Sequence, residues 1–168
     1  MVPVIAELHA SASGTRFIVL VNALSINRAT LGTTLSALME ADLVMRNPGY
    51  GHPLRQEYVL TETGKDVAPQ CACFESLIDN EGLSALAHRK WTASILLTVR
   101  TGKSRFNAIQ TELAGITPRA LTTALRALAG AGLLSRQVDD GYPPRTTYTL
   151  GSTGRRIADT VARIADRL

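Results

Sequence analysis

The sequence predicts a mainly α-helical chain with small β-hairpins, an α+β fold made of two copies of one module. Three observations predict it: the sequence repeats after 90 residues, apolar residues recur at helical spacing through most of each copy, and the spacing then changes to that of strands. The chain has 168 residues, of which 45% are hydrophobic. This composition excludes a disordered tail, a fibrous repeat and a disulfide scaffold.

The repeat divides the chain into two similar halves. A shift of 90 residues lays residues 26–68 on residues 116–158 without a gap, and 17 of these 43 positions are identical. The identical pairs include Leu31/Leu121, Leu35/Leu125, Leu38/Leu128, Leu43/Leu133, Arg46/Arg136, Tyr58/Tyr148 and Gly64/Gly154. We therefore predict two domains, residues 1–80 and residues 81–168.

The first two helices of the module are clearest in the second copy. Residues 91–100 place apolar side chains on one side of a first helix, which Thr101-Gly102 ends. Ser104 is predicted to cap a short second helix, because a hydroxyl can accept a hydrogen bond from a free backbone amide. This second helix is expected to stop at Ala114-Gly115.

A third helix follows, with one apolar and one polar face. Thr117 is predicted to cap it, and Pro118 fits its first position because the amide there needs no partner. The apolar face carries Leu121, Ala124, Leu125 and Leu128 at i, i+3, i+4 and i+7. The opposite face carries Arg119, Thr122, Thr123 and Arg126.

A hairpin and a last helix complete the module. Residues 133–138 and 146–150 are predicted as strands, and the intervening residues 139–144 supply turn residues. The last helix has an apolar stripe formed by Ile157, Val161, Ile164 and Leu168. The order is therefore helix, helix, helix, hairpin, helix.

This layout is that of a winged helix-turn-helix. The motifs that carry the likeness are Lys90-Trp91, Ser104-Arg-Phe-Asn107, Gly115-Ile-Thr-Pro-Arg119, residues 133–136, Pro143-Pro-Arg145 and the stretch from Tyr148 to Gly154. Over residues 88–168 this ordered string closely resembles the HxlR-type branch of the MarR-like transcriptional regulators. Residues 1–80 resemble a degenerate copy of the same winged-helix module, which makes the predicted fold a tandem, pseudo-twofold one.

The resemblance implies a bacterial, cytoplasmic repressor or activator of transcription. Its third helix would lie in the major groove of double-stranded DNA, and its hairpin would form a wing along the phosphate backbone or in the minor groove. Members of this family carry one module per chain and pair through their terminal helices. The two modules are therefore expected to form a pseudo-dimer within one chain, and a further homodimer and a small-molecule effector are left open.

The charge distribution agrees with a polyanionic partner. Residues 1–80 carry five Lys and Arg against eight Asp and Glu, whereas residues 81–168 carry thirteen against six. The net charges are therefore −3 and +7, so the basic character belongs to the second copy. Such a one-sided field favours nucleic acid, although a solvated surface alone would also produce it.

The polar face of the third helix supplies candidate DNA-binding residues. Arg119 and Arg126 lie about two turns apart, and a guanidinium can donate two hydrogen bonds to O6 and N7 of guanine. Thr122 and Thr123 could donate to phosphate or contact a thymine methyl, and Thr117 marks a helix start that attracts phosphate. The alternative is that these arginines only form solvated surface.

Wing residues and the first copy supply the remaining candidates. Arg136 and Arg145 suit phosphate neutralisation, although the charges of Asp139 and Asp140 oppose it. Arg145 could form a structural ion pair instead.

The first copy retains two candidate DNA-binding arginines, Arg28 and Arg55. On its third helix, Ala29, Ser36 and Gly32 replace the counterparts of Arg119, Arg126 and Thr122. Acidic residues are gained near the end of that helix, where Glu40 and Asp42 replace the counterparts of Gly130 and Gly132. The second copy should therefore make most DNA contacts.

The two cysteines and the histidines give weaker signals. Cys71 and Cys73 are candidate redox residues, but two thiols that are two residues apart in a helix point away from each other, and an inert buried role is the alternative.

No spacing of residues suggests a metal ligand set, a cofactor site or a catalytic site, so we expect no enzyme and no cofactor. No segment is long and apolar enough to span a membrane. A winged-helix protein that no longer binds DNA, and serves as a ligand-binding or protein-interaction module, is the rival hypothesis.

Overall fold

The computed structural model describes residues 1–11, 13–47, 56–139 and 145–167. The chain divides into two compact units, one made of Met1–Ser76 with Asp166–Leu168 and the other of Leu77–Ala165. Arg55, Asp140, Pro143 and Pro144 lie outside the described residues. The domain limits at residues 80 and 81 stay a prediction.

Helices and a three-stranded sheet make up the first copy. Its elements are α1 (Val2–Ala10), β1 (Thr15–Arg16), α2 (Phe17–Leu24), α3 (Arg28–Glu40), β2 (Val44–Asn47), β3 (Glu57–Leu60) and α4 (Glu62–Asn80). The strands are antiparallel and lie in the order β1-β3-β2. The two-residue β1 was not predicted, because so short a strand leaves no alternating pattern in the sequence.

The second copy repeats the order of the helices and the hairpin, but a short additional helix precedes it and its sheet has two strands. Its elements are α5 (Ser84–Ala87), α6 (Thr92–Arg100), α7 (Phe106–Glu112), α8 (Pro118–Gly130), β4 (Leu134–Asp139), β5 (Arg145–Leu150) and α9 (Ser152–Ala165). Where the first copy has β1, a single bridge joins Arg105 to Thr147. The predicted class, mainly α with small β-hairpins, is confirmed, and so is the order helix, helix, helix, hairpin, helix.

The sequence repeat is also a repeat of structure. Arg46 pairs with Tyr58 in one hairpin, and Arg136 pairs with Tyr148 in the other, so the registers agree at a spacing of 90 residues. The caps of the third helices agree as well. The Asn27 Oδ1 accepts a hydrogen bond from the Thr30 amide at 2.8 Å, and the Thr117 Oγ1 accepts one from the Ala120 amide at 3.2 Å. The predicted Thr117 cap is confirmed.

The predicted Ser104 cap is wrong. The N-cap of α7 is Arg105, and no side chain accepts a hydrogen bond there. The Ser104 carbonyl instead accepts a hydrogen bond from the Tyr148 amide at 2.8 Å. Ser104 therefore lies one residue too early to cap α7, and its backbone is held by the strand that contains Tyr148.

Packing in the second unit fixes which side of α8 faces outward. Leu121, Leu125 and Leu128 are buried, and together they form the inner side of the helix. The helices α6 and α9 pack against each other, and the Arg100 Nε donates to the Asp159 Oδ1 at 2.7 Å across them. Because the buried leucines form the inner side of α8, the polar side of the helix remains exposed.

Candidate nucleic-acid interface

The exposed side of α8 brings together the helix residues that the sequence singled out. Arg119, Thr122, Thr123 and Arg126 are all exposed. Arg119 and Arg126 are seven residues apart, which places them about 10 Å apart along one side of the helix. Neither guanidinium makes an ion pair or a hydrogen bond with the described residues. Both are therefore available for a ligand outside the unit.

The two threonines present methyl groups and oxygen lone pairs. The Thr122 hydroxyl donates to the Pro118 carbonyl at 2.8 Å, and the Thr123 hydroxyl donates to the Arg119 carbonyl at 2.9 Å. Donation to a phosphate would require each hydroxyl to leave its carbonyl. Contact between a threonine methyl and a thymine methyl leaves both hydroxyl hydrogen bonds in place. The structure therefore favours thymine contact over donation to phosphate.

The β4–β5 hairpin of the second unit exposes most of its first strand. Leu134 is buried at its base, whereas the rest of β4 is exposed through Asp139. Arg136 and Arg145 are both exposed. Arg145 is the direct cross-strand neighbour of Asp139, yet its guanidinium forms no ion pair with the described residues. Both arginines thus carry their charge on an exposed hairpin, as a wing would.

The first copy has a weaker version of the same surface. Arg28 is exposed at the first position of α3, and Arg55 lies outside the described residues. Ala29 and Ser36, the counterparts of Arg119 and Arg126, are exposed without charge. Arg46, the counterpart of Arg136, places its guanidinium 5.8 Å from the centre of the Tyr58 ring. A cation held over a ring is less available to a phosphate than one without a partner.

Comparison with known proteins places this arrangement in a family. The model of the HxlR-like helix-turn-helix family matches residues 3–82 and again residues 86–167. The chain belongs to the HxlR-like helix-turn-helix family. The two matches cover both copies, so the family resemblance seen in the sequence is confirmed for the degenerate copy as well.

Curated relatives of this HxlR-like chain are described as regulators. An uncharacterized HTH-type transcriptional regulator of Methanothermobacter thermautotrophicus is 40% identical over 68 residues, which are 40% of this chain and 52% of that protein. The uncharacterized HTH-type transcriptional regulator YtfH of Escherichia coli K12 is 31% identical over 77 residues, which are 46% of this chain and 61% of that protein. The chain thus spans between 52% and 61% of the length of these relatives.

A solved structure of a regulator is also similar. The reduced form of the transcriptional regulator YodB from B. subtilis superposes with a TM-score of 0.47 at 23% identity, covering 52% of this chain and 86% of YodB. The family match and the curated relatives, and not this structural likeness, show that the HxlR-like chain is a member of a family of HTH-type transcriptional regulators. The relatives named above are described as regulators rather than enzymes.

Several structural features bear on sites other than a nucleic-acid surface. Within the described ranges, no three His, Cys, Asp or Glu side chains are grouped so that they could hold a metal ion. No helix in this part of the HxlR-like chain combines the length and the apolar character that crossing a bilayer requires.

The two cysteines occupy opposite sides of α4. Cys71 is fully buried and Cys73 is exposed, as the helical spacing predicted. Burial, and then the nearby Glu75 carboxylate, raise the pKa of the Cys71 thiol to about 11. The thiolate is the reactive form of cysteine, so Cys71 is protected both by burial and by its proton. These features favour the inert role for Cys71, and redox sensing through Cys73 stays a prediction.

This difference between the thiols predicts selective alkylation. Iodoacetamide at neutral pH should modify Cys73 in the native chain and leave Cys71 unmodified, because only Cys73 is accessible and only a thiolate attacks. Peptide mass spectrometry after a timed reaction measures both sites. Unfolding the chain in urea provides the control, since both cysteines should then react. Equal rates at Cys71 and Cys73 in the native chain would contradict the prediction.

Sequence reasoning did not assign a role to one group of residues near the interface. Arg89, Lys90 and Trp91 lie just before α6 and share a cavity with the start of α8. Lys90-Trp91 contributed to the family resemblance but was not identified as part of a site. The signal available in the sequence was the chain's single tryptophan next to two cations.

Proposed function

We propose that this chain is a DNA-binding transcriptional regulator whose second unit makes most of the contacts. Its helix α8 would lie in the major groove, and the β4–β5 wing would follow the phosphate backbone. One observation carries the proposal: α8 buries a leucine stripe on one side and exposes two arginines, without acidic partners among the described residues, on the other.

In this proposal the residues of α8 have separate roles. Arg119 and Arg126 read guanine through pairs of hydrogen bonds to O6 and N7. Thr122 and Thr123 contact thymine methyl groups with their own methyls. Thr117 lies at the start of the helix, where the free amides and the helix dipole attract a phosphate.

The wing arginines would supply affinity rather than sequence preference. Arg136 and Arg145 are exposed on the hairpin and would each neutralise a phosphate. Arg28 and Arg55 would add weaker contacts from the first copy, whose third helix exposes Ala29 and Ser36 in place of arginines. The first copy then acts mainly as a partner surface, and a pseudo-dimer within the chain stays a prediction.

A mobility-shift titration at several salt concentrations tests this function. The DNA upstream of the chain's own gene should bind in preference to random DNA. Each phosphate neutralised contributes about −0.9 to the slope of log affinity against log salt, so the two wing arginines alone predict a slope of about −2 or steeper. If two chains associate on the DNA, protected half-sites should lie roughly 34–36 Å apart.

The opposite result would favour the rival hypothesis. A shallow salt slope with equal affinity for random DNA would contradict the proposed role of α8 and the wing. The chain would then fit a ligand-binding or protein-interaction module that retains the winged-helix fold.

A further inference from the structure

The outer side of α2, in the first unit, is apolar and exposed. Seven of the eight residues of this helix are apolar, and only Leu20 is buried. Ile18 and Val19 are neighbours on the exposed side, where 43% and 45% of their surfaces are open to solvent. A helix that is apolar all round is normally buried on all sides, so the described part of this unit leaves an apolar side of α2 uncovered.

The corresponding helix of the second copy is more polar. Before residue 26 the two copies align at a shift of 89 residues, which places α2 on α7. Three apolar residues of α2 have polar counterparts on α7, namely Asn107 for Ile18, Gln110 for Val21 and Glu112 for Ala23. The Glu112 carboxylate also accepts a hydrogen bond from the Lys103 ammonium, and the counterpart of Lys103 is Gly14. The module therefore folds with a polar, charged second helix, and the apolar side of α2 is not a requirement of folding.

Charge is almost absent from this part of the first copy. Residues 17–39, which include α2 and most of α3, contain one charged residue, Arg28. The corresponding residues 106–129 contain three, which are Glu112, Arg119 and Arg126. The centre of a protein interface is depleted of charged residues, whereas a polyanion or an oppositely charged protein needs charges to bind. The exposed side of α2 therefore suits a partner that is itself apolar and uncharged, and the α2 of an identical chain has both properties.

The exposed side of α2 is also complementary to itself in shape. It carries Ile18 and Val19 in the first turn and Asn22 and Ala23 one turn later, and all four are exposed. A contact about a twofold axis sets a patch against the same patch of a second molecule, so that residue i contacts residue j and residue j contacts residue i. With the two helices antiparallel, the large aliphatic side chains of each copy lie against the shorter Asn22 and Ala23 of the other. Large residues then meet small ones on both sides of the axis, and no like charges meet.

We propose that two copies of this chain pair through the exposed side of α2, with the two helices antiparallel about a twofold axis. This surface belongs to the first copy alone. It lies on a different helix from the terminal helices of each module, through which the family resemblance implies pairing. The inference does not rest on the proposed function, because the contact involves no DNA and no residue of the second unit.

Sedimentation equilibrium of the full chain without DNA tests the pairing. The contact joins two helices of eight residues, each about 12 Å long, so the interface is small and the association should depend on concentration. Between micromolar and several hundred micromolar chain, the weight-average mass should rise from 18.0 kDa towards twice that value. A mass that stays at 18.0 kDa over this range would overturn the proposal and leave the exposed side of α2 to a different protein.

The second copy supplies substitutions that the fold tolerates. Ile18→Asn combined with Val19→Ala installs the α7 residues on α2, and it should weaken self-association about tenfold or more. Each change removes apolar area from both sides of a twofold contact, so its effect occurs twice. Ala23→Glu installs the α7 glutamate and should weaken self-association to a similar extent, because it brings a charge into an apolar contact. Urea-unfolding midpoints check that each variant remains folded.

Val138→Thr is the matched control. Val138 is 48% exposed, about as much as Ile18 and Val19, but it lies on strand β4 of the second unit. Threonine keeps the β-branched shape that suits a strand, and self-association should be unchanged. An equal loss in this control would indicate non-specific apolar contact, and pairing that persists in both α2 variants would place the contact on another surface. Either result overturns the proposal. If Ile18→Asn with Val19→Ala lowers the unfolding midpoint, Ala23→Glu decides alone.

Discussion

Arg119→Ala is expected to weaken binding to the upstream DNA by about 1–3 kcal/mol, or roughly 5- to 150-fold. The guanidinium is exposed on α8 and has no partner among the described residues, so its removal costs contacts to DNA and no contact within the unit. Mobility-shift titrations at one salt concentration measure the loss. Because a base contact carries sequence information, the loss on random DNA should be smaller than on the upstream fragment.

Arg28→Glu in the first copy is the matched control. It reverses a charge instead of removing one, and it changes an exposed side chain at the start of the corresponding helix α3. We nevertheless expect a smaller effect than that of Arg119→Ala, because α3 otherwise exposes Ala29 and Ser36 where α8 has arginines. The reverse ranking would mean that the first copy, not the second, makes the main contacts.

The sequence predicted those features that depend on neighbours along the chain. The leucines of α8 follow helical spacing, so their burial could be predicted from position alone. The Thr117 cap was predictable because the hydroxyl and the amide that it satisfies are three residues apart. The repeat then extended the predicted order of elements to the other copy, because identical leucines such as Leu31, Leu35 and Leu38 recur at the same spacing.

Features that depend on distant segments could not be predicted. Ser104 fits a cap by residue type, but the Tyr148 strand fixes its backbone and moves the cap to Arg105. The cavity has the same origin, since residues 86–92 and the first turns of α8 meet only in the folded unit. Neither segment has a pattern that indicates the other.

The largest effect on stability is expected at Gly154, in the first turn of α9. A Cβ there would lie 2.0 Å from the Leu133 carbonyl oxygen and 2.8 Å from the Leu133 carbonyl carbon. That backbone cannot easily move away. The Leu133 oxygen accepts a hydrogen bond from the Gly151 amide at 3.0 Å, and the Leu133 amide donates to the Leu128 carbonyl at 2.9 Å. Gly154→Ala should therefore lower the free energy of unfolding by about 3 kcal/mol, measured by urea unfolding.

Gly130→Ala is the control for this substitution. Nothing lies within 4 Å of a Cβ at Gly130, so the change should leave the free energy of unfolding unchanged or raise it by up to about 1 kcal/mol through helix propensity. Equal urea-unfolding midpoints for the two variants would refute the close-packing argument.

The same close contact recurs in the first copy, where a Cβ at Gly64 would lie 2.0 Å from the Leu43 carbonyl oxygen. That copy keeps this glycine although it has Ala29 and Ser36 in place of the arginines. The fold of each module therefore requires this glycine, whereas the proposed function requires the arginines in the second module alone.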